Sequence, residues 1–276
     1  MRRSLLFLLA LAGLAAPAMA GPLELDGVLQ QGGVVFGRTE PGAEVSFEGR
    51  RLRVTEDGRF VFGFGRDFAA QAQLEVRYAD GTQETRDLEV APRQYEVQRI
   101  DGLPPAKVTP SEEVWERIKR ENAEIAAARA HDRPLNDFLV RFEWPAIGRI
   151  SGVFGSQRVL NGVPKRPHFG IDIAAPEGTP IKAPAGGLVA LAVVDHYYTG
   201  GTVILDHGHG LTSAFLHLAE VRVEAGQQVE QGEVIGTLGA TGRVTGPHLD
   251  WRINWFDQRL DPAFFVPPMP APDESG

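Results

Sequence analysis

Two short stretches place residues where they could do chemistry. In "GPHLDW", residues 246–251, His248 and Asp250 are separated by one residue. On a strand they share a face, ~6.6 Å apart along it, while Leu249 and Trp251 turn to an apolar back. Alternation of this kind also describes an ordinary solvent-exposed polar face. In "PHFGIDIAAPEGTP", His168 and Asp172 are four residues apart. A helix would put them on one face, but Phe-Gly-Ile between them and Ile173 after them argue for extended chain. A straight strand would separate them by ~13 Å, too far for two ligands at ~2 Å from one ion. If they act together, the chain must bend between them, and Gly170 permits the bend.

The chain has seven histidines and no cysteine. Thiolate metal sites and cysteine nucleophiles are therefore excluded, and a metal must be held by His, Asp or Glu. In "TSAFLHLAEV", alternation puts His217 on the face of Phe215 and Leu216 on the face of Leu218. A lone histidine in such a strand is more often structural than catalytic. "LDHGHG" reads as a turn, so Asp206, His207 and His209 are better explained by backbone geometry than by a metal. His131 suits the C-terminal dipole of a helix, and His196 falls in a loop. Neither is assigned a ligand role.

The elements that must position these residues are mostly strands. Residues 21–92 alternate in "AEVSFEG", "RLRVT", "RFVFGF" and "LEVRYA". Turn signals at Pro41-Gly42, Glu48-Gly49, Asp57-Gly58 and Asp80-Gly81 separate them. A small β-sandwich acting as a spacer is expected. Residues 93–141 connect through a helix, with Thr109 as N-cap, Pro110 in the first turn and Glu112 closing a capping box. Val114, Trp115, Ile118 and Ile125 recur at helical spacing and should lie against a domain surface. A second β-rich domain is expected over 142–265. Its "VRVEAGQQVEQGEVIGTLGATG" has the strand-turn-strand rhythm of lipoyl carriers, but no lysine follows Lys182. Residues 266–276, with "PPMPAPDESG", are expected to be a disordered tail.

The first 20 residues carry Arg2 and Arg3, a Leu/Ala run and Ala18-Met19-Ala20, the pattern of a cleaved export signal. The run is shorter than the ~20 apolar residues of a membrane span, and no later stretch qualifies as one. The formal charge is −8, from 28 basic and 36 acidic residues. Loss of Arg2 and Arg3 takes it to −10. With no basic run, nucleic acid is not an expected partner.

Taken in order, "HFGIDIAAPEGTPIKAPAGGLV", "GGTVILDHGHGLTSAFLHL" and "GATGRVTGPHLDW" resemble the LytM-type, or M23, zinc peptidases of bacterial cell walls, over roughly residues 142–262. The resemblance implies a mainly β fold with an antiparallel, duplicated-hybrid-motif-like peptidase domain. It implies one zinc ion on His168, Asp172 and the residue at 250, with His217 and His248 catalytic. It also implies a peptidoglycan substrate and a periplasmic or secreted location. At 250 the sequence departs, because Asp250 stands where the family has histidine. Carboxylate oxygen binds zinc at ~2.0–2.2 Å, as imidazole does at ~2.0–2.1 Å, so Asp250 is expected to ligate. The exchange would leave the zinc site neutral instead of singly positive, and so less polarising. A second reading from the same resemblance is a weakened member that binds and activates a cell-wall amidase.

Overall fold

The computed structural model describes residues 23–100, 112–160 and 162–270. The proposed export signal and Thr109 and Pro110 at the helix start lie outside the described residues.

The front of the chain forms two small antiparallel sheets. One orders Glu24–Gly27, Val34–Arg38 and Arg59–Gly63. The other orders Arg50–Leu52, Glu44–Phe47, Gln71–Arg77 and Gln83–Glu89. Alternation drives their packing: Gln71–Arg77 buries Ala72, Leu74 and Val76 and exposes the residues between. Phe47, Phe62, Phe64 and Phe68 form an aromatic cluster with centroid separations of 4.4–6.0 Å from Phe47.

The second half is a ten-stranded sheet. Its main path runs Gln228–Val229, Gly187–His196, Gly200–Gly208, Leu211–Val221, Leu249–Trp255, Ile171–Ala174 and Arg149–Gly152. One face carries Ile171, Ile173, Phe215, Leu249, Trp251 and Ile253 into the main core. The other carries Asp172, Asp250 and Arg252. On this second face lies the helix α1, Glu112–Arg129. Its Ala128 is buried against Ile204, Ala214 and Leu216, and Ala214 and Leu216 are the register partners of Arg252 and Asp250. Helix α1 therefore stands beside the candidate site. Arg117 pairs with Asp195 at 3.1 Å, and Glu124 with His196 at 3.1 Å. Ile118 is buried and Ile125 packs on the sheet, but Trp115 is 41% exposed. It sits on the outward side of the helix, where the periodicity had placed it against a surface.

The front sheets pack directly on the large one. The rings of Phe47 and Trp255 are 5.9 Å apart. Arg93 pairs with buried Asp261 at 2.6 Å, and the Asp261 amide donates to the Gly32 carbonyl at 2.8 Å. The expectation of a disordered tail fails at its beginning. Trp144 donates its indole N–H to the Pro267 carbonyl at 2.8 Å, and Met269 packs on the core. Residues 271–276 lie outside the described residues.

Phe47→Ala would open a cavity at this junction and lower stability by about 3–5 kcal/mol. Because Trp255 belongs to the same aromatic contact, the loss should appear in the denaturation midpoint of the large sheet, followed by tryptophan fluorescence. An unchanged fluorescence midpoint would show that the front sheets unfold independently.

Candidate metal centre

Three backbone devices bring the chemical residues together. The first is a cross-strand pair. Ile171–Ala174 and Leu249–Trp255 are antiparallel neighbours in which Asp172 is the register partner of Asp250. Since residues two apart share a face, the flanking isoleucines, Leu249 and Trp251 go to the core, and both carboxylates go to the opposite side.

The second device is the bend before Asp172. Residues 165–169 are irregular and Gly170 is a bend. The chain turns there, and His168 comes back over the carboxylates. Glycine is also required for space: a Cβ on Gly170 would lie 2.5 Å from Asp250 Oδ1. Gly152, on the neighbouring strand, plays the same part for Asp172, where a Cβ would meet Oδ2 at 2.2 Å.

The third device is a bulge at His217. Between Phe215, opposite Val203, and Leu218, opposite Gly201, the strand holds one residue more than its neighbour. His217 takes a φ of 67°, the left-handed region, as bulges allow. Simple alternation is thereby overturned. Phe215 and Leu218 share the core face, Leu216 faces α1, and His217 turns to the site. Its ring centroid is 4.9 Å from that of His248.

His168 Nε2, Asp172 Oδ1 and a carboxylate oxygen of Asp250 converge, with His168, Asp172 and Asp250 each offering one atom and all three within 4.8 Å of one another. His168 Nε2 is 3.1 Å from Asp172 Oδ1 and 3.5 Å from Asp250 Oδ1. Tetrahedral zinc with bonds of ~2.0–2.2 Å separates its ligand atoms by about 3.3–3.6 Å, so the spacing fits. The buried His168 Nε2 and Asp172 Oδ1 make no hydrogen bond of acceptable geometry. Two directly opposed carboxylates also repel unless a cation lies between or beside them. Both observations fit a metal ion on His168, Asp172 and Asp250.

The imidazoles are oriented by carbonyl oxygens, which only accept. Nδ1–H of His168 faces the Val153 carbonyl at 3.3 Å, that of His217 the Thr241 carbonyl at 2.9 Å, and that of His248 the Gly246 carbonyl at 2.9 Å. Each ring is left with Nε2 for the site, which is how ligating and proton-transferring histidines are held. His248 Nε2 stands 3.7 Å from Asp172 Oδ1.

Arg252 is a site residue that the sequence reading missed. Its Nε donates to both oxygens of Asp250 at 3.0 and 3.1 Å, and its Nη2 to Oδ2 at 2.5 Å. Burial by itself would raise the pKa of Asp250, but Arg252 and then His168 outweigh it and hold the carboxyl well below the usual range. Burial likewise opposes a charge on His168, yet Asp172 and Asp250 push its pKa up to about 10. Burial lowers the pKa of His217, which keeps that ring neutral at neutral pH.

The sequence profile of "Peptidase family M23" matches residues 166–262, a span holding His168, Asp172, His217, His248, Asp250 and Arg252. A crystal structure of a putative peptidase M23 from Pseudomonas aeruginosa is 34% identical, with a TM-score of 0.68, over 86% of this chain and 94% of that one. The chain belongs to peptidase family M23. This M23 chain is also similar to two curated proteins over about half of its length. It is 43% identical over 123 residues to peptidoglycan DD-endopeptidase ShyA of Vibrio cholerae, covering 44% of this chain and 27% of that protein. It is 34% identical over 150 residues to cell division protein DipM of Caulobacter vibrioides, covering 52% and 24%. The M23 chain thus spans about a quarter of the length of these relatives.

Three further histidines of the M23 chain, His196, His207 and His209, are held by the scaffold away from the site. His207 is fully buried between the Gly186 carbonyl at 2.6 Å and Ser213 Oγ at 2.8 Å, and burial pushes its pKa down to about 4. His209 lies in the turn expected there, its ring 4.3 Å from that of Phe138. Asp206 pairs with Arg133. His196 ends a strand and binds Glu124. Tyr198, whose ring lies 4.3 Å from the Arg243 guanidinium, belongs to the loop whose Thr199 carbonyl accepts from the His217 amide at 2.8 Å.

Two outcomes are expected. Asp250→Ala should lose bound zinc by elemental analysis, since it removes a ligand and strands Arg252; unchanged zinc content would refute Asp250 as a ligand. The second concerns pH. A folded-state pKa of about 10 for His168 lies above the unfolded value of ~6.5. In the metal-free protein, the stability from charged His168 is full below the unfolded value and is lost as pH rises through about 10. Zinc must displace that proton, so binding between these limits should release about one proton and strengthen by roughly tenfold per pH unit. Calorimetry in buffers of different ionisation enthalpy measures the release, and zero protons released at pH 7.5 would contradict it.

Proposed function

We propose that this chain is an exported zinc endopeptidase that hydrolyses peptide cross-links of peptidoglycan. The observation that carries the reading is the convergence of His168 Nε2 with the Asp172 and Asp250 carboxylates, beside two histidines whose rings are 4.9 Å apart. The relatives' names supply the substrate class. The leader-like first 20 residues support export, to the periplasm or the medium. No described helix is long and apolar enough to cross a membrane.

In this reading His168, Asp172 and Asp250 hold the ion and His217 and His248 do the proton chemistry. Bound zinc supplies Lewis-acid polarisation of the scissile carbonyl. His217, neutral and with its Nδ1–H committed to Thr241, presents a free Nε2 that accepts the proton of the attacking water. His248, its Nδ1–H held by the Gly246 carbonyl, places Nε2 beside the oxyanion that develops on the carbonyl oxygen, and donates to it as the imidazolium. The reaction requires no serine or cysteine nucleophile and passes through no covalent enzyme adduct. We assign residues 1–20 to the signal, 21–92 to the spacer, 93–141 to the linker and 142–265 to the peptidase.

The test is digestion of purified peptidoglycan by His217→Ala. The variant should keep its zinc and lose at least a hundredfold in rate, the usual scale of a general base. Wild-type digestion by a zinc-loaded variant would overturn the mechanism. A zinc-loaded wild type that cleaves no cross-link, but stimulates a wall amidase, would establish the activator reading in its place.

A further inference from the structure

Asp250, where the M23 resemblance implies histidine, brings a second negative charge to the site opposite Asp172. Alone, it would leave zinc electrically cancelled by two carboxylates. The structure contains a group that answers this. Arg252 follows Asp250 by two residues on the same strand face, and its guanidinium covers Oδ2 at 2.5 Å. Oδ1 is the oxygen nearest His168, at 3.5 Å. Arg252 touches both oxygens, since its Nε also donates to Oδ1 at 3.0 Å, but its shortest contact is to Oδ2, and Oδ1 is the oxygen turned toward His168. The Asp250 side chain is 4% exposed and that of Arg252 24%, so water screens the pair weakly.

We propose that Asp250 and Arg252 act as one composite ligand, equivalent in charge to the histidine that Asp250 replaces, with Arg252 a positioning residue that fixes Oδ1 on zinc and returns the positive charge that the second carboxylate removes. The inference rests on the zinc reading above. It corrects the expectation of a neutral, weakly polarising centre. Zinc with Asp172 and the Asp250–Arg252 pair carries one net positive charge, the same as zinc with two imidazoles and one carboxylate. The two positions are therefore interchangeable only together. Histidine at 250 with Arg252 retained would place an unpaired guanidinium beside a positive metal centre, and like charges at such range oppose metal binding.

The experiment is a double-substitution cycle read by zinc affinity, measured in competition with a chromophoric chelator. D250H should bind zinc at least tenfold more weakly than wild type. D250H/R252M should recover to within about threefold of wild type. Circular dichroism of each metal-free protein checks folding. If D250H fails to fold, D250N is compared with D250N/R252M, and removal of the arginine should again strengthen zinc binding. Equal affinities with and without Arg252 in these backgrounds would overturn the composite ligand while leaving the zinc site standing. A wild type that takes up no zinc would overturn both.

Discussion

Asp172 and Asp250 face one another across two hydrogen-bonded strands, and this opposition of like charges organises what surrounds it. Two carboxylates cannot be held side by side on a sheet without positive charge nearby. His168 approaches from one side, its imidazole drawn toward the charged form by both carboxylates. Arg252 closes the other side through three donor–acceptor contacts. A metal ion between His168 and the paired oxygens would take the place of the His168 proton. The glycines at 152 and 170 follow from the same constraint, since a side chain at either would occupy the space of a carboxylate oxygen.

The scaffold keeps this charged face rigid by making the opposite face wholly apolar. Ile171, Ile173, Leu249, Trp251 and Ile253 are all buried, so a slip of one residue in either strand would bury the carboxylates and expose the core. Register is thereby fixed by hydrophobic burial, and the metal-facing geometry is inherited from it. The bulge at His217 uses the same logic differently. Phe215 and Leu218 stay anchored in the core, and the extra residue between them lets His217 turn toward His248.

Much of the site was legible in the sequence because strand alternation and chain bending are local rules. The shared face of His248 and Asp250 followed from a spacing of two, and the need for a bend between His168 and Asp172 followed from ligand reach. Arg252 carries the same signal, lying two residues beyond Asp250 on the same face, but spacing alone does not mark an arginine as the counter-charge of a ligand. The His217 bulge was not legible, since no glycine or proline marks it and the extra residue is defined only against the neighbouring strand. Gly152 was also hidden, because its role depends on a pairing between segments distant in sequence. The packed start of the tail, through Pro267 and Met269, depends on Trp144, which local composition cannot reveal.

In the proposed centre Asp250 ligates through Oδ1, and Arg252, whose Nε also donates to that oxygen, makes its shortest contact to Oδ2. The most direct measurement is anomalous diffraction at the zinc edge from crystals of the zinc-loaded protein. The expected result is one peak within about 2.2 Å of His168 Nε2, Asp172 Oδ1 and Asp250 Oδ1, with Arg252 still on the far oxygen. A peak held by His217 or His248 in place of Asp250, or no peak at this site, would contradict it.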